Sequence, residues 1–123
     1  MRPIPEKMRR MMAADPFYTR CCITGKPAGK YVIEWHHALQ YKGRQVNAIF
    51  CIIPLWEGVH EMIRSNREVR DLADWIMLGR ATDDELRKFQ RRDLFFQKAR
   101  LEKMFGVFDI GTYQQNKFIQ KWH

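Results

Sequence analysis

Apolar residues recur along the 123-residue chain in two rhythms, and these divide it into elements. From Arg67 to Gly79 they fall at Val69, Leu72, Ala73, Ile76 and Met77, the spacing of one helix face, with Gly79 placed to end the helix. The stretch PLWEGVHEMIRSN (54–66) predicts another helix, with Leu55, Val59 and Met62 or Ile63 on one face and Gly58 as a weak point. Thr82 to Glu85, TDDE, is a capping-box signature. It opens a long helix through Met104, stopped by Gly106, whose apolar residues are Leu86, Phe89, Leu94, Phe95, Phe96 and Leu101. Residues 5–14, PEKMRRMMAA, predict a short helix started by proline. Two segments read as strands instead: YVIEWH (31–36), and the buried-looking AIFCII (48–53), which Pro54 ends. The segment DPFYTRCCITGKPAGK (15–30) predicts turns, ALQYKGRQVN (38–47) predicts a loop around Gly43, and the tail after Gly106 has no clean period. The order helix, loop, strand, loop, strand, helices predicts an α+β fold in one domain, residues 1–123. The hairpin and its following helix form the core at 31–66, and a helical extension occupies 67–123.

Composition narrows the partners. The formal net charge is +8, which favours a polyanion such as nucleic acid. No apolar run is long enough for a membrane helix, and the charged N-terminus lacks signal-peptide character, so a cytoplasmic protein without a membrane partner is expected. Cys21, Cys22 and Cys51 are odd in number and two are adjacent, which suits reduced thiols better than a disulfide framework. Cys51, inside IFCII, is expected in the core.

The candidate chemistry sits in YVIEWHHALQYKGRQVNAIFCIIPLWEGVH (31–60), which holds three of the four histidines, His36, His37 and His60, together with Asn47. Side chains alternate along a strand, so His36 and His37 point to opposite sides. One can face a metal while the other faces a substrate. A helix after the second strand can carry His60 back across the hairpin to His36. Asn47, where the loop rejoins the sheet, can both donate and accept hydrogen bonds and so pin the loop. Each residue also has a bland reading: packed or exposed strand histidines, an ordinary loop asparagine, and a helix histidine beside Glu57 and Glu61.

Taken together, EWHHAL, Asn47 and IIPLWEGVH, within Cys21 to Asn66, resemble the HNH endonucleases of the ββα-metal nuclease superfamily, in particular phage-encoded members that begin the motif with HH. The resemblance implies a hairpin-plus-helix core around one divalent cation, Mg²⁺ or Mn²⁺ before Zn²⁺, and hydrolysis of DNA phosphodiester bonds. It gives His37 the part of general base, suited by an imidazole titrating near neutrality. It gives His36 and His60 the part of metal ligands, and Asn47 that of the residue holding the loop and orienting the base. Two departures qualify it. Many members carry a further ligand one turn beyond the last histidine, where this chain has Arg64, so Glu57, Glu61 or Asn66 would have to substitute, or two ligands suffice for a cation that keeps several waters. Many relatives also carry a Cys-x-x-Cys zinc knuckle. Here Cys21 and Gly25 fit the first half, but Thr24, Trp56 and Val59 occupy the other ligand places, which implies apolar packing in place of a structural zinc.

Lys42 and Arg44 in the loop, Arg64, and Arg87, Lys88, Arg91 and Arg92 on the long basic helix are the candidate phosphate contacts, against the plainer reading of solvated charge diluted by Glu85, Asp93 and Glu102. Phe89, Phe95 and Phe96 read as core rather than as base-stacking platforms, and Trp35 and Trp56 as packing the hairpin onto the helix. Three functions remain: an HNH-type endonuclease or nickase acting on DNA, with RNA as the other substrate; a non-catalytic DNA-binding, replication or recombination accessory on the same fold; and a structural Cys/His zinc protein. Both a monomer and a homodimer fit.

Overall fold

The computed structural model describes residues 3–89 and 92–123, the side chain of Arg92 excepted. The fold is mixed α+β. Helix α1 (Glu6–Ala13) leads through a 3₁₀ turn at Pro16–Thr19 to strand β1 (Ile33–His37). A small hairpin follows, β2 (Gln40–Tyr41) with β3 (Arg44–Gln45), and then strand β4 (Ile52–Trp56). The helices α2 (Glu57–His60), α3 (Arg67–Arg80), α4 (Asp83–Arg87), α5 (Arg92–Phe105) and α6 (Lys117–Gln120) complete the chain. No described helix is long and apolar enough to cross a membrane.

β1 and β4 pair antiparallel, with Ile33 opposite Trp56 and His37 opposite Ile52. The expected long-looped hairpin is therefore present, but its second strand is shifted. Residues 49–51 form a 3₁₀ turn, and the strand runs through Pro54 instead of ending there. The ladder explains this. Ala38 N donates to Cys51 O (2.8 Å) and Glu57 N donates to Val32 O (3.0 Å). With that alternation, Trp35–Pro54 falls on a pair that exchanges no hydrogen bonds. The missing N–H of Pro54 thus costs the ladder nothing, and its carbonyl accepts from Cys22 N on the other side (3.0 Å).

The two faces of β4 separate two apolar clusters. Ile53 and Leu55 join the main core with Val59, the buried face of α3, and Leu86, Leu94 and Leu101. Ile52 joins a smaller cluster with Ile4, Met12 and Tyr18, against which Trp35 packs. Trp35 therefore seals the α1 side of the hairpin. Only Trp56 packs toward α2, where a Cβ added to Gly58 would lie 2.6 Å from its ring.

The helix predicted over 54–66 is a single turn, α2, because β4 takes its first three residues and a series of turns fills 61–65. Asn66 then caps α3, its Oδ1 accepting from Val69 N (3.1 Å). Gly79 does not end α3. The helix continues to Arg80, and the glycine makes room for Phe108, which a Cβ there would approach to 2.4 Å. The capping box at Thr82 forms in full. The helix it opens closes at Arg87, however, with Lys88 and Phe89 in a turn, and Phe89 leaves the helical line to meet Tyr41 and Phe50. Gly106 ends α5 as expected, at φ 99°. Phe95 and Phe96 do not enter the core: Phe96 is 75% exposed, because the buried side of α5 is made by Leu94, Leu101 and Phe105. The tail folds back over the core through Tyr113 and Ile119, both buried.

Candidate functional site

β1 projects His36 and His37 in opposite directions, and each meets its own partner. His36 shares a face with Glu34, two residues earlier, and both meet His60, which α2 holds above the strand. His36 Nδ1 lies 3.2 Å from His60 Nε2. The other nitrogen of His60, Nδ1, lies 3.0 Å from Glu34 Oε1. A carboxylate only accepts, so Nδ1 of His60 carries the proton and Nε2 presents a lone pair toward His36. Burial, followed by the neighbouring His60 and His37, lowers the pKa of His36 to about 4, so its ring is neutral at physiological pH.

Two imidazole nitrogens at this separation fit a shared cation. With metal–nitrogen bonds of about 2.0–2.1 Å, a 3.2 Å separation corresponds to an angle of about 100°, between octahedral and tetrahedral values. Were a cation held there, Glu34 would be the outer carboxylate that fixes the tautomer and ring orientation of His60. Sequence reasoning missed Glu34. Its place two residues before His36 on the same strand face was the available signal.

The donors considered as further ligands do not complete the set. Among the described residues, no group of three or more His, Cys, Asp or Glu side chains gathers around one point. Asn66 is occupied as the cap of α3, and Arg64 is exposed in the turn after α2. Two nitrogens among the described residues would suit a cation that retains water and substrate oxygens better than a closed structural site.

On the opposite face, His37 Nε2 lies 2.9 Å from Asn47 Oδ1. The orientation of the Asn47 amide follows from its second contact, in which Nδ2 donates to Pro3 O at 2.9 Å. Oδ1 must then accept, Nε2 of His37 carries the proton, and Nδ1 is left as the basic nitrogen. The N-terminal segment thus reaches the site across 44 residues of sequence. No motif could have indicated this, since the acceptor is a backbone carbonyl.

His36, His37, Asn47 and His60 are therefore assembled around one end of β1. Lys42 and Arg44 lie nearby, exposed on the β2–β3 hairpin, and line a cleft of about 580 Å³ together with Asn47, Tyr41 and Phe89. Arg87 and Lys88 are exposed just before Phe89, and Arg87 is paired with Asp84 at 2.7 Å. Arg91 lies outside the described residues. Of the remaining basic residues on α5, Arg100 is engaged with Asp71 (3.4 Å) and Lys98 with Asp83 (4.0 Å), so part of that helix's charge is spent within the fold.

Cys21, Cys22 and Cys51 are free and buried. Burial raises the Cys51 thiol to about 11 and the Cys22 thiol well above its ordinary value. Thr24, in a knuckle-ligand place, donates its backbone N–H to Cys21 Sγ (3.3 Å), and Val59, in another, is buried in the core.

The chain matches no protein-family model, and no curated protein or solved structure matches it.

Proposed function

We propose that the protein is a metal-dependent endonuclease or nickase of HNH type acting on DNA, built on a ββα-metal core of β1, β4 and α2. The observation that carries this reading is the paired set of histidine contacts. His36 and His60 face each other at 3.2 Å, while the adjacent His37 is held by Asn47 in the tautomer that leaves Nδ1 basic.

His36 and His60 would hold the cation through Nδ1 and Nε2. A divalent cation bound there supplies Lewis-acid stabilisation of charge on the scissile phosphate and the leaving 3′ oxygen. His37 Nδ1 takes a proton from the attacking water, and Nε2–H stays on Asn47 Oδ1 throughout, so the emerging imidazolium is oriented and partly stabilised. Asn47 is in turn fixed by the Pro3 carbonyl. Lys42 and Arg44 supply cations for the flanking phosphates, and the net charge of +8 favours encounter with the polyanion.

A second reading, a non-catalytic DNA-binding module on the same core, is favoured by one observation: among the described residues, only two protein nitrogens converge on the proposed metal position. Relaxation of supercoiled plasmid by the purified protein separates the two, run with Mg²⁺, Mn²⁺, Zn²⁺ or EDTA. The nuclease reading expects nicking that EDTA stops. Salt-sensitive DNA binding without cleavage in any metal would leave the binding module.

A further inference from the structure

The cleft at the β2–β3 hairpin shares Lys42, Arg44 and Asn47 with the chemistry described above, but its aromatic wall of Tyr41 and Phe89 has no part in it. We propose that it is a pocket for one unpaired nucleobase, which makes DNA carrying an unpaired nucleotide the preferred substrate class. The inference rests on the nuclease reading only for the word substrate; the binding claim stands alone.

The volume, about 580 Å³, lies within the range of sites that enclose small ligands. Its lining combines two chemistries that suit a nucleotide, aromatic rings and cations. Tyr41 and Phe89 meet edge to face, with centroids 5.6 Å apart at 68°. Phe89 also meets Phe50 (6.0 Å), and Lys42 Nζ lies 5.4 Å from the centroid of the Tyr41 ring, so a base stacked on Tyr41 would take the place of that flexible ammonium. Stacking on an aromatic ring tolerates any base and needs the base out of the helix, because both faces of a paired base are covered by its neighbours. Lys42 and Arg44 are exposed at the rim, where a nucleotide's own phosphates would lie.

The hairpin is built to present that rim. Tyr41 pairs with Arg44 across a two-residue turn, Lys42–Gly43, in which both residues have positive φ (52° and 75°). Glycine or asparagine is the usual first residue of such a turn, and a lysine there carries backbone strain. The strained residue points to a function for its side chain at the tip. Asn47 joins the cleft to the site, since the same side chain that lines the cleft accepts the proton of His37. A nucleotide seated there places its neighbouring phosphates beside the base.

The test is fluorescence anisotropy in EDTA, so that nothing is cut. The full-length protein is titrated into a labelled duplex, the same duplex with one unpaired adenine, and the same duplex with an abasic nucleotide in that place. The unpaired adenine should tighten binding on the order of tenfold, the usual worth of one base–aromatic stack. The abasic nucleotide and Tyr41→Ala should each remove that preference, and Tyr41→Phe should keep it. Equal affinity for the three DNAs overturns the proposal, as does an undiminished preference in folded Tyr41→Ala. If Tyr41→Ala does not fold, the abasic comparison with the wild-type protein decides. Cleavage without any preference for the unpaired base defeats this inference alone. A preference without cleavage in any metal defeats the nuclease reading alone.

Discussion

Glu34 gives a prediction that tests the proposed metal site without reference to activity. Its carboxylate stands 3.0 Å from His60 Nδ1, and the two side chains are 46% and 32% exposed. At that exposure the contact itself is worth about 0–1 kcal/mol, so Glu34→Ala should leave stability nearly unchanged. Its effect on cation binding should be larger. Glu34 fixes both the tautomer and the rotation of the ring whose Nε2 faces His36 at 3.2 Å. Without it, the proton can move to Nε2 and the ring can turn out of the shared position. Loss of such an outer partner costs about 10- to 100-fold in metal affinity, or about 1.4–2.8 kcal/mol. The solvent exposure of this pair puts the expectation near the tenfold end. Calorimetric titration of Mn²⁺ into DNA-free protein measures it, with His60→Ala as the variant that loses the ligand outright. Glu34→Gln, whose Oε1 still accepts from Nδ1, should retain most of the affinity. Mn²⁺ binding to Glu34→Ala as tight as to the wild-type protein would refute the outer-shell assignment. Equal binding to His60→Ala would refute the site.

Three further outcomes are expected from urea unfolding. His36 is held neutral with a pKa of about 4 against 6.5 when unfolded, so the unfolded chain binds the extra proton between those values. In EDTA its contribution is intact above pH 6.5 and falls away by up to about 3 kcal/mol toward pH 4, and His36→Leu should flatten that part of the profile. Asp74 has the opposite sign: burial, then the neighbouring Asp71, raises it to about 7 from 3.8, so its stabilisation is complete below pH 3.8 and is lost as pH rises through 7. Asp74→Asn, which can still bond Gln97, should therefore gain up to about 4 kcal/mol over the wild type at alkaline pH and little at pH 3.8. Gly79→Ala should destabilise by about 1–3 kcal/mol, because its methyl would meet Phe108 Cβ and Cγ at 2.4 Å in a packed helix contact; an unchanged midpoint would contradict that packing.

Much of the candidate site's geometry was legible in the sequence because its logic is local. Alternation along β1 separates His36 from His37, and a turn of helix after β4 is enough to bring His60 over the strand. What escaped depends on partners distant in sequence or on details of pairing. Pro54 reads as a strand breaker by composition, but whether a proline breaks a strand depends on which side its nitrogen faces, and that follows from the register with β1. The turn at Phe89 interrupts a helix of good propensity because Tyr41 and Phe50 offer that ring a place that the helical line does not. Gly79 reads as a helix stop when the requirement is room for Phe108, a residue 29 positions on. The coarse class, mixed α+β, survived these misreadings, since shifting a strand by a few residues or dividing a helix does not change which layers pack.

The central claim is tested most directly by initial rates of plasmid nicking for the wild-type protein and His37→Ala, measured side by side in saturating Mn²⁺, with Mn²⁺ affinity determined for both. With His37 as the base that takes the proton from water, the variant should bind Mn²⁺ as the wild type does and lose about 10²- to 10⁴-fold in rate. Nicking by His37→Ala at the wild-type rate, with Mn²⁺ bound, would contradict the account.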